Sequence, residues 1–456
     1  MRAAAIPGFL KAFAFVLFCF QTNAFAETVD DAGFTIRQVL SSPFPYSLAA
    51  SPENGRIAWV INREGVRNIW VAQAPGFEAR QLTQFEHDDG HEIQIMGLSP
   101  KGDYGVFVRG EGFNADHDAD GPMAPALFAS GWGGGIPRKI GESATAVVSP
   151  VADEVAFVKN GGVWLSTLSS AEKRQQLAQI RGSLGQLRWS PDGSHLALST
   201  ARGEYPDQYA FIVDIEIAHR RVKYWDSSVH FDGSPAWSAD GRKLAFIRRL
   251  TSNHRWNLNA KTYPEPDPWE IRVADLETGE VKRAWKSPED GSFYQSKVDW
   301  LDGERLIFSS EKDGFRHLYS VRVGGGEVEQ VTKGPFEVED FVTVPQLGKA
   351  IFTSTKDDID RRHIWSVESD QLLKPLTSGS SIEWSPVPVG SAQVAYLGSD
   401  SLKPAGVYVT DLDGQSAKQL AVDQLPEDFP ERQLTVPEQV IFEAADGLEI
   451  HGQLFH

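Results

Sequence analysis

The chain has 456 residues with 62 acidic against 44 basic side chains, a formal net charge of −18, and one cysteine. An acidic surface of this size repels phosphate backbones and argues against nucleic acid as a partner. The length exceeds one ordinary domain unless a repeat assembly absorbs it, and a lone cysteine excludes a disulfide framework.

The first 26 residues read as a secretory leader, cleaved before Glu27. Arg2 and Lys11 are their only charges, 12–20 is an apolar run, and Ala24-Phe25-Ala26 is a small-x-small cleavage site. The run is too short for a membrane span, and no later segment approaches one. Cys19 lies inside the leader, behind Val16-Leu17-Phe18, where a lipidation site requires small residues. The mature chain is expected to be periplasmic or secreted and free of thiol chemistry.

After an N-terminal segment at 27–44, one unit recurs. Ser51-Pro52 precedes Ile57-Ala58-Trp59-Val60, Ser99-Pro100-Lys101-Gly102 precedes Val106-Phe107-Val108, and Ser149-Pro150 precedes Val155-Ala156-Phe157-Val158. Trp189-Ser190-Pro191-Asp192-Gly193 and Trp237-Ser238-Ala239-Asp240-Gly241 each lead into a further apolar run. Trp300-Leu301-Asp302-Gly303, Val344-Pro345 and Trp384-Ser385-Pro386 complete the series. A second apolar strand follows each copy, as in Asn68-Ile69-Trp70-Val71 or His363-Ile364-Trp365-Ser366-Val367, often closed by a piece such as Gln81-Leu82-Thr83. The anchors recur at roughly 40–50 residues, the length of a four-stranded propeller blade. The Asp-Gly turns supply the positive φ of a tight hairpin, and strands apolar on both faces suit packing between blades. The spacing therefore predicts an all-β chain whose residues 45–430 form an eight-bladed β-propeller of four-stranded blades.

Three local signals stand out within the repeats. Asp116, Asp118 and Asp120 alternate ahead of Gly121 like half a calcium loop, but Leu127 stands where the loop needs its glutamate. A stretch at 249–271 is an insertion between strands. The run Asp357-Asp358-Ile359-Asp360-Arg361-Arg362 mixes both signs, as a salt-bridge network does, with docking of another domain as the sharper alternative. The histidines, among them His87, His91, His230 and His254, show no metal spacing, and no cofactor is expected. At 436–456, Val440-Ile441-Phe442 and Leu448-Glu449-Ile450 flank Ala445-Asp446-Gly447, the pattern of a hairpin.

The Trp-Ser-Pro-Asp-Gly unit resembles the propeller of the prolyl oligopeptidase-type serine peptidases. Residues 309–321 and 354–367 look like late-blade sequences of their dipeptidyl peptidase IV and acylaminoacyl peptidase branch. Residues 440–455 resemble the first hairpin of the catalytic α/β-hydrolase domain, which in that family follows the propeller. The resemblance implies a substrate-gating propeller of an exported peptidase acting on short peptides, with a truncated hydrolase domain at 436–456. It also implies that propeller acids grip a peptide amine; the nearest matches in type are Asp88, Asp89 and Glu92.

The nucleophile of such enzymes sits in Gly-x-Ser-x-Gly on a strand-to-helix turn. The stretches around Ser143, Ser381 and Ser416 each lack the closing glycine. No residue of the chain carries a catalytic role on this reading, and the hydrolase domain is lost or separately encoded. The alternative is a free-standing periplasmic propeller acting as a protein-binding or scaffold module.

Overall fold

The structure is a computed structural model that describes residues 33–110, 124–170, 174–203, 208–250, 268–288, 297–368, 372–414 and 416–455. The leader, Cys19, the calcium-like Asp116, Asp118 and Asp120, and 251–267 of the insertion lie outside the described residues.

The described chain is almost wholly β. Successive four-stranded antiparallel meanders span 44–81, 92–142, 146–179, 183–225, 231–286, 298–330, 338–375 and 382–420. The meanders at 183–225 and 231–286 are joined by one parallel bridge between Ala210 and Phe231, making them a single eight-stranded sheet. A separate two-stranded hairpin follows, Glu438–Glu443 with Glu449–Leu454. Many four-stranded antiparallel sheets in an all-β chain are consistent with a propeller.

The recurring turn is a hydrogen-bonded clamp. Ser190 Oγ donates to Asp192 Oδ1 at 2.6 Å and accepts from the His195 N–H at 2.9 Å, while Ser194 N–H also reaches Asp192 Oδ1. Ser238 and Asp240 repeat these contacts with Lys243 and Arg242. Gly193 and Gly241 close the turns at φ +70° and +69°, where a side chain is strained.

The interior is a circle of interfaces. One apolar cluster lies between each pair of consecutive meanders, and another packs Ile57, Trp59 and Ile61 of the first against Ala395, Leu397 and Val407 of the last. Alternation along each second strand explains this. Ala156 faces the 183–225 meander, while its neighbours Val155 and Phe157 face the 92–142 meander. Both faces are buried, so these strands read as unbroken apolar runs. Among the described residues no strand crosses the closure, because 44–81 and 382–420 each pair only within themselves.

Tryptophans of the first strands staple neighbours together. The indole N–H of Trp189 donates to Val147 O, that of Trp237 to Arg188 O, and that of Trp300 to Ala236 O, at 3.2, 3.0 and 2.9 Å. Each acceptor lies on the first strand of the preceding meander.

One sequence anchor is misplaced. Trp384-Ser385-Pro386 is not the counterpart of Trp189-Ser190-Pro191. Ser385 sits inside the strand Ile382–Val389 at a register shift, with φ +52°, as Gln186 and Ser234 do in theirs. The turn of that meander comes after Val389, which pairs with Gln393. A serine-proline pair suits a bulge and a turn alike, and only the strand register separates them.

Among the described residues no helix is long and apolar enough to cross a membrane. The segment 36–40 forms one helical turn capped by Thr35, and Gln38 Nε2 donates to Asp428 O at 3.2 Å. It therefore lies against the connection between the last meander and the hairpin.

Candidate functional site

Connections between second and third strands, and those between successive meanders, emerge at one end of the fold. The sequence-flagged acids sit there. Glu92 opens the first strand of the 92–142 meander, and Asp88 and Asp89 precede it in the connection. They do not act as one group. Arg67 binds Glu92 Oε1 at 3.0 Å and Asp88 Oδ1 at 3.3 Å. Asp89 pairs instead with Arg109, whose guanidinium lies 4.2 Å over the Phe85 ring.

Tyr46 completes the cluster, its hydroxyl donating to Glu92 Oε2 at 2.9 Å. Burial, and then the Glu92 charge, push the Tyr46 phenol up, so it stays a donor. Burial works most strongly against the Arg67 charge, but Glu92, Tyr46 and Asp88 together overcome it and hold the guanidinium above its ordinary value. Burial likewise works against ionised Asp89; the His91 N–H and Arg109 overcome it and hold the carboxyl below the usual range. The carboxylates of Asp88 and Glu92 remain about half exposed, at 54 and 46 %, and keep open lone pairs. Such a patch can accept hydrogen bonds from a ligand ammonium without being a bare acidic cluster.

At the same end, a buried ionic network ties the two stems of the 249–271 insertion. Arg248, before it, grips Asp232 through Nε to Oδ1 at 2.7 Å and Nη2 to Oδ2 at 2.8 Å. Arg248 also reaches Asp226 Oδ2 at 2.8 Å, and Asp226 in turn meets Arg272, beyond the insertion, which pairs with Glu270. Asp232 is wholly buried; its carboxyl is pushed up by burial against the pull of Arg248.

The mixed-charge run at 357–362 does two things. Arg361 pairs with Asp358 at 2.9 Å and Arg362 with Glu339 at 2.6 Å. Asp360 leaves these local pairs and meets both strands of the final hairpin, accepting from Gln439 Nε2 and lying 3.0 Å from His451 Nδ1.

No candidate nucleophile emerges among the described residues. Ser143 Oγ donates to Thr145 O, Ser381 Oγ to Glu383, and Ser416 Oγ to Asp411, and none of the three stands on a strand-to-helix turn. Among the described residues no group of three or more His, Cys, Asp or Glu side chains is placed to hold a metal ion. Tyr46, Arg67 and Arg109 could not be singled out from the sequence, since 21 and 25 residues separate Arg67 from Asp88 and Glu92 and no motif marks them.

Comparison with known proteins bears out the resemblance drawn from the repeat. Residues 267–400 match the dipeptidyl peptidase IV (DPP IV) N-terminal region. A 160-residue stretch, 34 % of this chain and 21 % of the relative, is 24 % identical to dipeptidyl-peptidase 5 of Porphyromonas gingivalis. The dipeptidyl peptidase 4 structure from the same organism superposes with a TM-score of 0.58 at 14 % identity, covering 90 % of this chain and 64 % of that one. The acylaminoacyl peptidase of Pyrococcus horikoshii gives 0.52 at 13 % identity, covering 91 % and 57 %. The chain thus spans somewhat under two thirds of these solved relatives, and its matched segment about a fifth of the curated one.

Proposed function

We propose that this chain is the non-catalytic, substrate-gating portion of an exported serine peptidase that acts on short peptides. Its meanders are the eight blades of a propeller, and the hairpin 438–454 is the first edge of an α/β-hydrolase domain that carries the Ser/Asp/His triad. The chain works in the periplasm or outside the cell, and its partners are short peptides and that hydrolase domain.

The observation that carries this reading is the two-sidedness of the hairpin. Register puts Gln439, Glu449 and His451 on one face beside Ile441, and the three polar side chains meet Asp360 or one another. The opposite face carries Val440, Phe442, Ile450 and Leu454, with Phe442 57 % exposed. An apolar strand face left open in this way suits the edge of a larger sheet.

Two experiments follow. The purified chain from Glu27 onward is expected to give no turnover of proline-type or acylaminoacyl chromogenic peptides above buffer; robust turnover would overturn the reading. For the rim acids, a tripeptide with a free amine is expected to bind Glu92→Gln about tenfold more weakly than the parent, the scale of one charge-assisted hydrogen bond. Its N-acetylated form should bind both proteins alike. Equal loss for both peptides would make Glu92 a scaffold residue only.

A further inference from the structure

The final hairpin reaches the ring through a histidine placed between two carboxylates. His451 Nδ1 lies 3.0 Å from Asp360 Oδ2, on the loop between the second and third strands of the 338–375 meander. His451 Nε2 lies 3.0 Å from Glu449 Oε1, on the hairpin itself. A neutral imidazole has one N–H and one lone pair, so one of these two contacts would set a lone pair against a carboxylate oxygen. Only the imidazolium donates to both.

We propose that His451 is a proton-dependent latch that fastens the hairpin to the Asp360 loop while its ring is doubly protonated and slackens it on deprotonation. The surroundings are arranged for this. Asp360 accepts a second hydrogen bond, from Gln439 on the other hairpin strand, so one carboxylate ties both strands. The neighbouring cation, Arg361, is occupied by Asp358 at 2.9 Å, which leaves Asp360 to the histidine. Asp360 and Glu449 therefore face the imidazole with negative charge, and Arg361 faces Asp360.

The sign of the pH dependence follows. Hydrogen bonds to Asp360 and then Glu449 raise the affinity of His451 for its proton above the ordinary imidazole value. The contribution of the latch is complete below that ordinary value and is lost as pH rises through the raised one. The hydrogen bond from His451 lowers the Asp360 carboxyl, so its share is present above the usual carboxylate range and fails only as pH falls through the lowered value. The latch is closed from weakly acidic to near-neutral pH and opens toward alkaline pH. Whatever is built on the hairpin is thereby coupled to the proton concentration around it.

Hydrogen-exchange protection of amides 438–454 in the full chain, measured at about pH 6 and about pH 8.5, tests this. In the parent, protection factors should fall about two- to fivefold at the higher pH, the scale of a partly exposed ion pair. In His451→Gln they should not change with pH, while amides of the 44–81 and 382–420 meanders report an intact fold in both proteins. Proton NMR of His451 supplies the second readout, since Asp360→Asn should lower its titration midpoint. Protection independent of pH in the parent, an equal pH response in His451→Gln, or a midpoint unmoved by Asp360→Asn would each overturn the latch.

Discussion

Replacing Arg248 by leucine is expected to destabilise the protein by about 3–5 kcal/mol, the cost of stripping one partner from a buried ion pair. Arg248 is 5 % exposed and Asp232 not at all, so the lost donors are not simply exchanged for bulk water. Asp226 would keep Arg272, but Asp232 would hold a buried charge with both oxygens bereft of Arg248, or would take up a proton at neutral pH. The double variant Arg248→Leu with Asp232→Leu should recover much of the loss, because removing both partners costs far less than removing one. Urea denaturation followed by tryptophan fluorescence measures both. A loss below about 1 kcal/mol in the single variant, the range of an exposed pair, would show that the network is hydrated.

Truncating Trp300 to alanine should cost a similar amount, about 3–5 kcal/mol, for a different reason. Trp300 is fully buried in the cluster between the 231–286 and 298–330 meanders, beside Trp269 and Phe308. Its ring fills the space between two wedges, and its N–H answers the Ala236 carbonyl at 2.9 Å. Trp300→Phe separates the two contributions. It keeps most of the apolar contact but leaves the carbonyl unanswered, for about 1–3 kcal/mol. The same denaturation experiment distinguishes them. Equal losses in the two variants would mean that the hydrogen bond, and not the ring volume, holds the interface.

Much of the fold can be read from residue order alone, because its determinants are local. The Ser-x-Asp-Gly clamps, the two-faced apolar strands and the closing Gln-Leu-Thr pieces each lie within one meander. Even there Trp384-Ser385-Pro386 misleads, since its meaning depends on which residues of the next strand it opposes. The site was less legible. Glu92 and Asp88 could be named by type, but Arg67 and Tyr46, which decide what those acids can do, come from another meander altogether. Asp360 was visible only as part of a charge run, and nothing in that run singles it out from Asp357 or Asp358. The contact with His451, 91 residues away, is a product of the closed fold.

The chain enters and leaves the circle side by side. The turn at 36–40 touches the exit segment through Gln38 and Asp428, and Gly33 O accepts from Gln433 Nε2 at 3.4 Å. A body joined to this fold through both segments would hang from a two-stranded neck rooted at the join of the first and last meanders, which pack through apolar side chains with no strand shared between them among the described residues. Prising that join apart would spread the neck, and pulling on the neck would strain the join, so the width of the join and the tilt of the attached body would be mechanically inseparable.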